Sequence, residues 1–238
     1  MYCFRERERI LDLFEMLCGA RITVSYMRPG GVLQDPPDDF WPALERNIAD
    51  LPQYIDELEN LITGNEIVLT RTREVGTITA EHAINSSITG PILRAAGVQW
   101  DIRRAHPYEI YDRLDFDIPI GAVGDTFDRY LVRIQEMRES VKILRQCVDQ
   151  IPNGPFRSET PFFMRADEGD VYSGIEGPKG ELGFYMVSDG GISPYRCKVR
   201  APSFINLTAL RDMLVGWKMG DLITIFGSLD IVLGEVDR

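Results

Sequence analysis

The sequence predicts an α+β protein, mostly helical, with one small antiparallel sheet in its last third, organised as a single domain over residues 1–238. Three observations predict it. Apolar residues recur at helical spacing through most of the chain as far as Asp149. Beyond Pro155 the pattern changes to short alternating runs broken by Gly and Pro. No low-complexity stretch divides the 238 residues, a length that one domain can hold.

Composition limits the function classes. Hydrophobic residues make up 44% of the chain. That supplies a core for a protein of this size, which buries roughly 70 to 75% of its unfolded surface, without disulfides or metals. The balance of 26 basic against 37 acidic residues gives a net charge of −11, which repels a phosphate backbone and argues against nucleic acid as a partner. No apolar run approaches the roughly 18 residues of a membrane span. Met1-Tyr2-Cys3-Phe4-Arg5-Glu6-Arg7 is too charged for a secretory signal. The expectation is a soluble or peripheral protein on the cytoplasmic side of any membrane. Cys3, Cys18, Cys147 and Cys197 form no C-x-x-C pair. They read as buried small hydrophobes rather than cluster ligands.

The elements follow in order. Phe4, Ile10, Leu11, Phe14 and Leu17 form an amphipathic stripe ending at Gly19, and the Arg5 to Arg9 charge run reads as its solvated face. Met1 leads almost directly into this helix with no N-cap residue, as if the chain started inside a larger design. Tyr26 to Val32 is a turn built on Pro29, Gly30 and Gly31. Asp38 then opens a helix from Phe40 to Ile62, which Pro52 should kink or divide. Glu66 to Thr72 fits helix or strand equally. Thr79 to Ser86 and Thr89 to Gly97 read as short helices, the second with Pro91 in its first turn. From Trp100 to Phe127 the chain is irregular and crowded with charges and aromatics, so holding one shape requires internal ion pairs.

The clearest helix runs from about Asp125 to Asp149, with Phe127, Tyr130, Leu131, Ile134, Met137, Val141, Leu144 and Val148 as its core stripe. Val171 to Glu176, Gly183 to Ser188 and Tyr195 to Arg200 are predicted strands. Gly177-Pro178-Lys179-Gly180-Glu181-Leu182-Gly183 lacks the ending of a phosphate loop and reads as the hairpin connection. Ser203 and Asp221 are predicted to cap the last two helices.

Several chemistries lack a motif. His82 and His106 stand apart from any second ligand at helical spacing, and no G-x-S-x-G elbow occurs. With no metal motif, electrons for any redox role have to come from a partner. What remains is the closing stretch, Gly227 to Arg238, in which four charged side chains are set among Ile231, Val232, Leu233 and Val236. Gly227 and Gly234 allow a turn or close backbone packing at two points, which would aim Asp230 and Glu235 into a cleft. Spacing alone leaves two readings open: a docked terminus with paired or solvated charges, or a site. Lys179 at the hairpin tip is likewise either a solvated turn lysine or a cation pointed into the same cleft.

The residues are recognisable as a set. YMRPGGV (Tyr26 to Val32), GPILRAAGVQW (Gly90 to Trp100), YDRLDFDIPI (Tyr111 to Ile120), GDTFDRYLVRIQE (Gly124 to Glu136), EGPKGELGF (Glu176 to Phe184), PYRCKVRAPSF (Pro194 to Phe204) and GSLDIVLGEVDR (Gly227 to Arg238) resemble the 49-kDa-type, or D-type, family of subunits in proton-pumping NADH:quinone oxidoreductase, respiratory complex I. The resemblance runs in register to the final residue. It implies a hydrogenase large-subunit-like fold. In nickel–iron hydrogenases the closing segment has the form D-P-C-x-x-C, whose cysteines bind the metal. Here Asp230 matches the Asp, and Val232 and Glu235 stand at the two cysteine positions.

The resemblance implies a quinone cavity where the metal was. Asp230, Val232, Glu235 and Arg238 would line or support it, and Lys179 matches the lysine of the family's E-x-P-K-G-E motif. It further implies quinone as substrate, an iron–sulfur cluster in a partner (the B-type component of the complex) and no cofactor bound by this chain alone. Contacts with the C-type component and the membrane arm, coupling to proton translocation, and a peripheral place on the cytoplasmic side of the inner membrane also follow from it. The family's N-terminal part, with its histidine-bearing hairpin and quinone-binding tyrosine, and a later aspartate have no counterpart here. The expectation is therefore a truncated product or fragment, without the residues for direct quinone protonation. A non-catalytic docking scaffold and a member of a ferredoxin-linked or hydrogenase-related complex are the alternatives.

Overall fold

The computed structural model describes residues 2–161 and 165–237. The chain forms two compact units, Met1–Ile62 with Ser140–Met164, and Thr63–Glu139 with Arg165–Arg238. Among the described residues helices dominate and two small antiparallel sheets accompany them, the mostly helical α+β arrangement expected.

In the first unit, helix α1 (Tyr2–Cys18) packs beside α2 (Phe40–Ile62), with the short strands β1 (Met27–Arg28) and β2 (Gly31–Val32) between them in sequence. The predicted stripe of α1 is corrected: Phe4, Ile10 and Phe14 are exposed, and the buried face is Glu6, Leu11 and Leu13. Glu6 can be buried because Arg5 lies 3.0 Å and Arg9 3.4 Å from its carboxylate. Helix α2 closes its first turn on the Asp39 carbonyl, one residue after the predicted cap. It continues through Pro52 as one element. No cysteine is buried: Cys3 and Cys197 are exposed, and Cys18 and Cys147 are partly so, which corrects the expectation of four core thiols.

The second unit carries most of the short helices. Asn65 accepts from the amides of Ile67 and Val68 and so starts α3 (Glu66–Thr72) as a helix, resolving the open choice there. Thr79 caps α4 (Ala80–Asn85) as predicted, and α5 (Pro91–Ala95) and α6 (Ile102–Ala105) follow. A 3-10 turn occupies Tyr111–Arg113. Helix α7 (Thr126–Gln150) begins in this unit and ends in the first. Its predicted stripe is corrected at two positions: Met137 and Leu144 are exposed, whereas Arg129 is fully buried. Apolar periodicity does not register a buried face that includes a hydrogen-bonded guanidinium.

Strands β3 (Gly169–Gly177), β4 (Gly180–Ser188) and β5 (Arg196–Arg200) make an antiparallel sheet in that order. Gly177 pairs with Gly180, so the connection shrinks to Pro178 and Lys179, and Lys179 sits at the very tip. After β5 come α8 (Pro202–Asn206), α9 (Leu210–Leu214), α10 (Met219–Leu229) and α11 (Leu233–Val236). Ser203 lies inside α8 rather than capping it. Asp221 accepts from the Lys218 amide as the third residue of α10 rather than as its cap. Val75, Ile78, Ala83, Ile88, Ile92, Ile225 and Leu229 build the core of this unit. Helix α10 is apolar on both sides: Ile225 and Leu229 face inward, while Met219, Ile223 and Phe226 remain exposed.

Candidate functional site

The site is assembled by three segments of the second unit: the β3–β4 turn, the start of α7 and the closing stretch. Two glycine contacts fix the turn. A Cβ on Gly90, whose φ is +74°, would lie 2.5 Å from Gly180 Cα and 2.8 Å from the Lys179 carbonyl oxygen. One on Gly180 would lie 2.6 Å from Thr89 Oγ1. Only glycine permits that approach of two backbones. Thr89 Oγ1 accepts from the Glu181 amide at 3.0 Å, and the Asn206 side-chain amide donates to the Lys179 carbonyl at 2.9 Å. The turn is thereby anchored, and the Lys179 ammonium projects from a fixed backbone.

That ammonium pairs with Asp230 Oδ2. Arg133, from α7, approaches the same oxygen through Nε at 3.5 Å. Two cations therefore share one carboxylate, and Asp230 is still 43% exposed. Asp230 ends α10 in the left-handed conformation, at φ 55° and ψ 52°. This turns the chain out of the helix and toward Val232. The predicted hinges at Gly227 and Gly234 are corrected accordingly. Neither adopts positive φ, and a Cβ at Gly227 would meet nothing within 4 Å.

Arg133 is held from behind. Its Nη1 donates to the Arg129 carbonyl at 2.8 Å, and burial lowers its pKa against the opposing pull of Asp230 and Glu136. Its Nε is buried and makes no hydrogen bond among the described residues. Arg129 in turn donates to Ser228 Oγ at 2.8 Å and to Gly124 O, Gly76 O and Thr126 Oγ1 at 2.9 Å each. It thus ties the end of α10, just before Asp230, to the start of α7. Burial, with the like charge of Arg133, pulls the Arg129 pKa down to about 9.

Glu235 has a different fate from Asp230. Its Oε2 accepts from Ser203 Oγ at 2.7 Å and from the Ser203 amide at 3.1 Å. The same hydroxyl accepts from the Val232 amide at 3.2 Å. The structure thus joins Lys179 with Asp230 and binds Glu235 to Ser203. Val232 is 43% exposed and offers an apolar face beside these charges. Arg238 lies outside the described residues.

Sequence reasoning missed the ion network deeper in the unit. Arg94, only 2% exposed, meets Glu136 at 2.6 Å, Glu176 at 2.8 Å and Asp101 at 3.7 Å. Burial raises the Glu176 pKa despite Arg94. Asp101, although also buried, is held below the usual carboxylate range by Arg103 and Arg94. Arg103 and Arg104 stack on Phe116 at 4.8 and 4.2 Å, so the irregular region does hold its shape with internal ion pairs and aromatic contacts. The missed signal was charge inside apolar runs: Arg94 follows Ile92 and Leu93 on a helix too short to have a solvated face. Among the described residues no group of three or more His, Cys, Asp or Glu side chains is arranged to hold a metal ion.

A mostly helical chain whose closing stretch meets a lysine-tipped hairpin at Asp230 fits a respiratory-chain subunit. The family model of the respiratory-chain NADH dehydrogenase 49 kDa subunit matches residues 1–168 and 162–238, and the chain belongs to that family. It is 58% identical over 238 residues to the D-type NADH-quinone oxidoreductase subunit of Dehalococcoides mccartyi, covering all of this chain and 65% of that protein. Similar relatives are a D-type NADH-quinone oxidoreductase subunit of Roseiflexus sp., 53% identical over 66% of its length, and its counterpart in Clostridium beijerinckii, 47% identical over 64%. The chain thus spans just under two thirds of the length of the curated relatives it matches.

Proposed function

We propose that this chain forms one wall of the quinone site of a proton-translocating NADH:quinone oxidoreductase, with electrons arriving from an iron–sulfur cluster in a partner protein. The single observation that supports it most is the sharing of Asp230 by Lys179 and Arg133. Reducing a quinone takes two electrons and two protons, and negative charge develops on its oxygens before protonation is complete. Two cations gathered in a partly desolvated wall lower the free energy of that charge, because the interaction is weakly screened there. Val232 supplies apolar surface for the ring. Val232 and Glu235 take the positions where a metalloenzyme of this superfamily has cysteines, so the space is free for an organic substrate. Arg238 belongs to the same proposed wall.

On this reading the chain works within a complex, with the cluster-bearing B-type component, the C-type component and a membrane arm as partners. It is peripheral on the cytoplasmic side of the inner membrane, or the matrix side in a mitochondrion. Among the described residues no helix is long and apolar enough to cross a membrane. The test is quinone-reductase activity of the assembled complex carrying Asp230→Ala or Glu235→Ala. Activity equal to wild type in both variants sinks the assigned roles.

A second reading, a non-catalytic docking scaffold, draws on the exposed stripe of Met219, Ile223 and Phe226 on α10. Partner capture with no binding of a quinone-site inhibitor supports that alternative. Service in a ferredoxin-linked or hydrogenase-related complex leaves the same wall in place and changes only the electron donor. Activity that depends on reduced ferredoxin rather than NADH identifies it.

A further inference from the structure

Helix α8 is five residues long, and two of its side chains are 1% exposed polar groups, Ser203 and Asn206. Buried polar groups at this depth persist only when hydrogen-bonded, and both are. Ser203 Oγ donates to Glu235 Oε2 and accepts from the Val232 amide, so it grips the closing stretch at two points. Asn206 Nδ2 donates to the Lys179 carbonyl at 2.9 Å, while its Oδ1 accepts from the Thr89 amide at 3.4 Å. It therefore grips the hairpin tip and the loop that the tip rests on. One short helix thus holds the Lys179 turn and the segment that follows Asp230 by side chains spaced three residues apart, on a single turn.

We infer that Ser203 and Asn206 are the positioning residues of the site: α8 sets the distance between the Lys179 turn and the Asp230–Glu235 segment, and Glu235 acts through Ser203 rather than on the substrate. The inference rests on the quinone-site reading for its kinetic consequence, but its structural part stands alone. Asp230 lies in the left-handed conformation, and α11 beyond it makes its cross-segment contacts mainly to α8. Without Ser203 the segment after Asp230 loses the hydroxyl that bridges its backbone to the Glu235 carboxylate.

The experiment uses the full chain in its assembled membrane complex, with a short-chain benzoquinone as the probe, alongside amide hydrogen exchange on the same preparation. In Ser203→Ala, exchange at Val232 rises about tenfold, the loss of one net hydrogen bond, while exchange at Ile225 in the core of α10 is unchanged. KM for the quinone rises by a similar factor, with kcat changed less. Ser203→Thr, which keeps the hydroxyl, restores both.

Asn206→Asp keeps the acceptor for Thr89 and removes the donor to Lys179. It raises KM while Thr89 stays protected, so the inference survives testing even where Ser203→Ala fails to fold. Unchanged Val232 exchange in Ser203→Ala overturns the clamp. Raised exchange with wild-type KM, in a complex where Lys179→Ala does raise KM, overturns its role in the reaction. If Lys179→Ala is also silent, the quinone reading has failed, and the exchange measurement alone decides whether α8 is the clamp.

Discussion

Lys179 and Arg133 converge on one oxygen of Asp230, the lysine from a strand turn and the arginine from a long helix. A carboxylate so placed is both an electrostatic element and a backbone element, because Asp230 is also the left-handed residue that ends α10.

The two roles separate by substitution. Asn and Gly both tolerate left-handed geometry, whereas Ala there costs about 1 kcal/mol. Asp230→Asn and Asp230→Gly should hold the urea midpoint near wild type, while Asp230→Ala lowers it. All three should reduce quinone-reductase activity, since each removes the carboxylate that holds the Lys179 and Arg133 side chains at one point of the wall. The check is chemical denaturation measured beside turnover.

Arg129 is predicted to matter for stability out of proportion to its single charge. Its guanidinium satisfies two backbone carbonyls and two hydroxyls with no exposed surface. Arg129→Met takes away the partner of the Gly76 carbonyl and one partner each from Gly124 O, Thr126 Oγ1 and Ser228 Oγ, which keep their bonds to Ile78, Val75 and Ile225, a loss of about 2 to 4 kcal/mol. Arg129→Lys recovers little of it, because a single ammonium cannot span the fork. Denaturant unfolding of the purified chain provides the measurement.

Glu176 should impose a pH slope on stability. Its folded-state pKa is raised above the ordinary 4.5 by burial. The folded state therefore holds the proton longer than the unfolded chain. Stability from this group is present in full below pH 4.5 and is lost as pH rises through the folded pKa. Asp101 runs in the opposite sense: held low, it stabilises above its ordinary 3.8, and that contribution is lost as pH falls through its folded value. Glu176→Gln should remove the decline above pH 4.5 and leave the acid limb set by Asp101, as read from urea midpoints across that range.

Two glycines give opposite outcomes on replacement by alanine. Gly90→Ala adds a Cβ 2.5 Å from Gly180 Cα at a φ of +74°, so it pushes the Lys179 turn away and destabilises by roughly 2 kcal/mol or more. Gly227 sits inside α10 with nothing within 4 Å of a new Cβ. Gly227→Ala should stabilise by about 0.5 to 1 kcal/mol. Thermal unfolding of the two variants side by side decides it.

Much of the architecture was legible because it rests on periodicity and punctuation. The Thr79 cap, Pro91 in a first turn and the Gly-bounded hairpin all act locally, and local signals survive in a sequence. What was not legible depends on pairing between distant segments. Ser203 looks like a helix cap because Ser favours caps, yet its partner is Glu235, and only the fold brings them together. Arg94 and Arg129 look like surface charges until their acceptors are known. The stripe on α1 misled because burying Glu6 between Arg5 and Arg9 rotates the face that an apolar count would choose. Within the candidate site, the flanking glycines and the hairpin tip pointed to Asp230, Glu235 and Lys179 as one of two readings, and family resemblance added Val232 and Arg238. The structure added the order among them: one ion pair, one clamped carboxylate and an arginine, Arg133, that no motif had singled out.

The left-handed turn at Asp230 narrows the mutational paths open to this chain. The backbone there accepts Gly, Asn and Asp with little strain, and of these only Asp carries a charge. Single-nucleotide changes connect Asp to both of the others, so the commonest steps away from it are structurally quiet and electrostatically complete. A lineage can lose the shared carboxylate without any sign of misfolding, and a folding screen would never detect the loss.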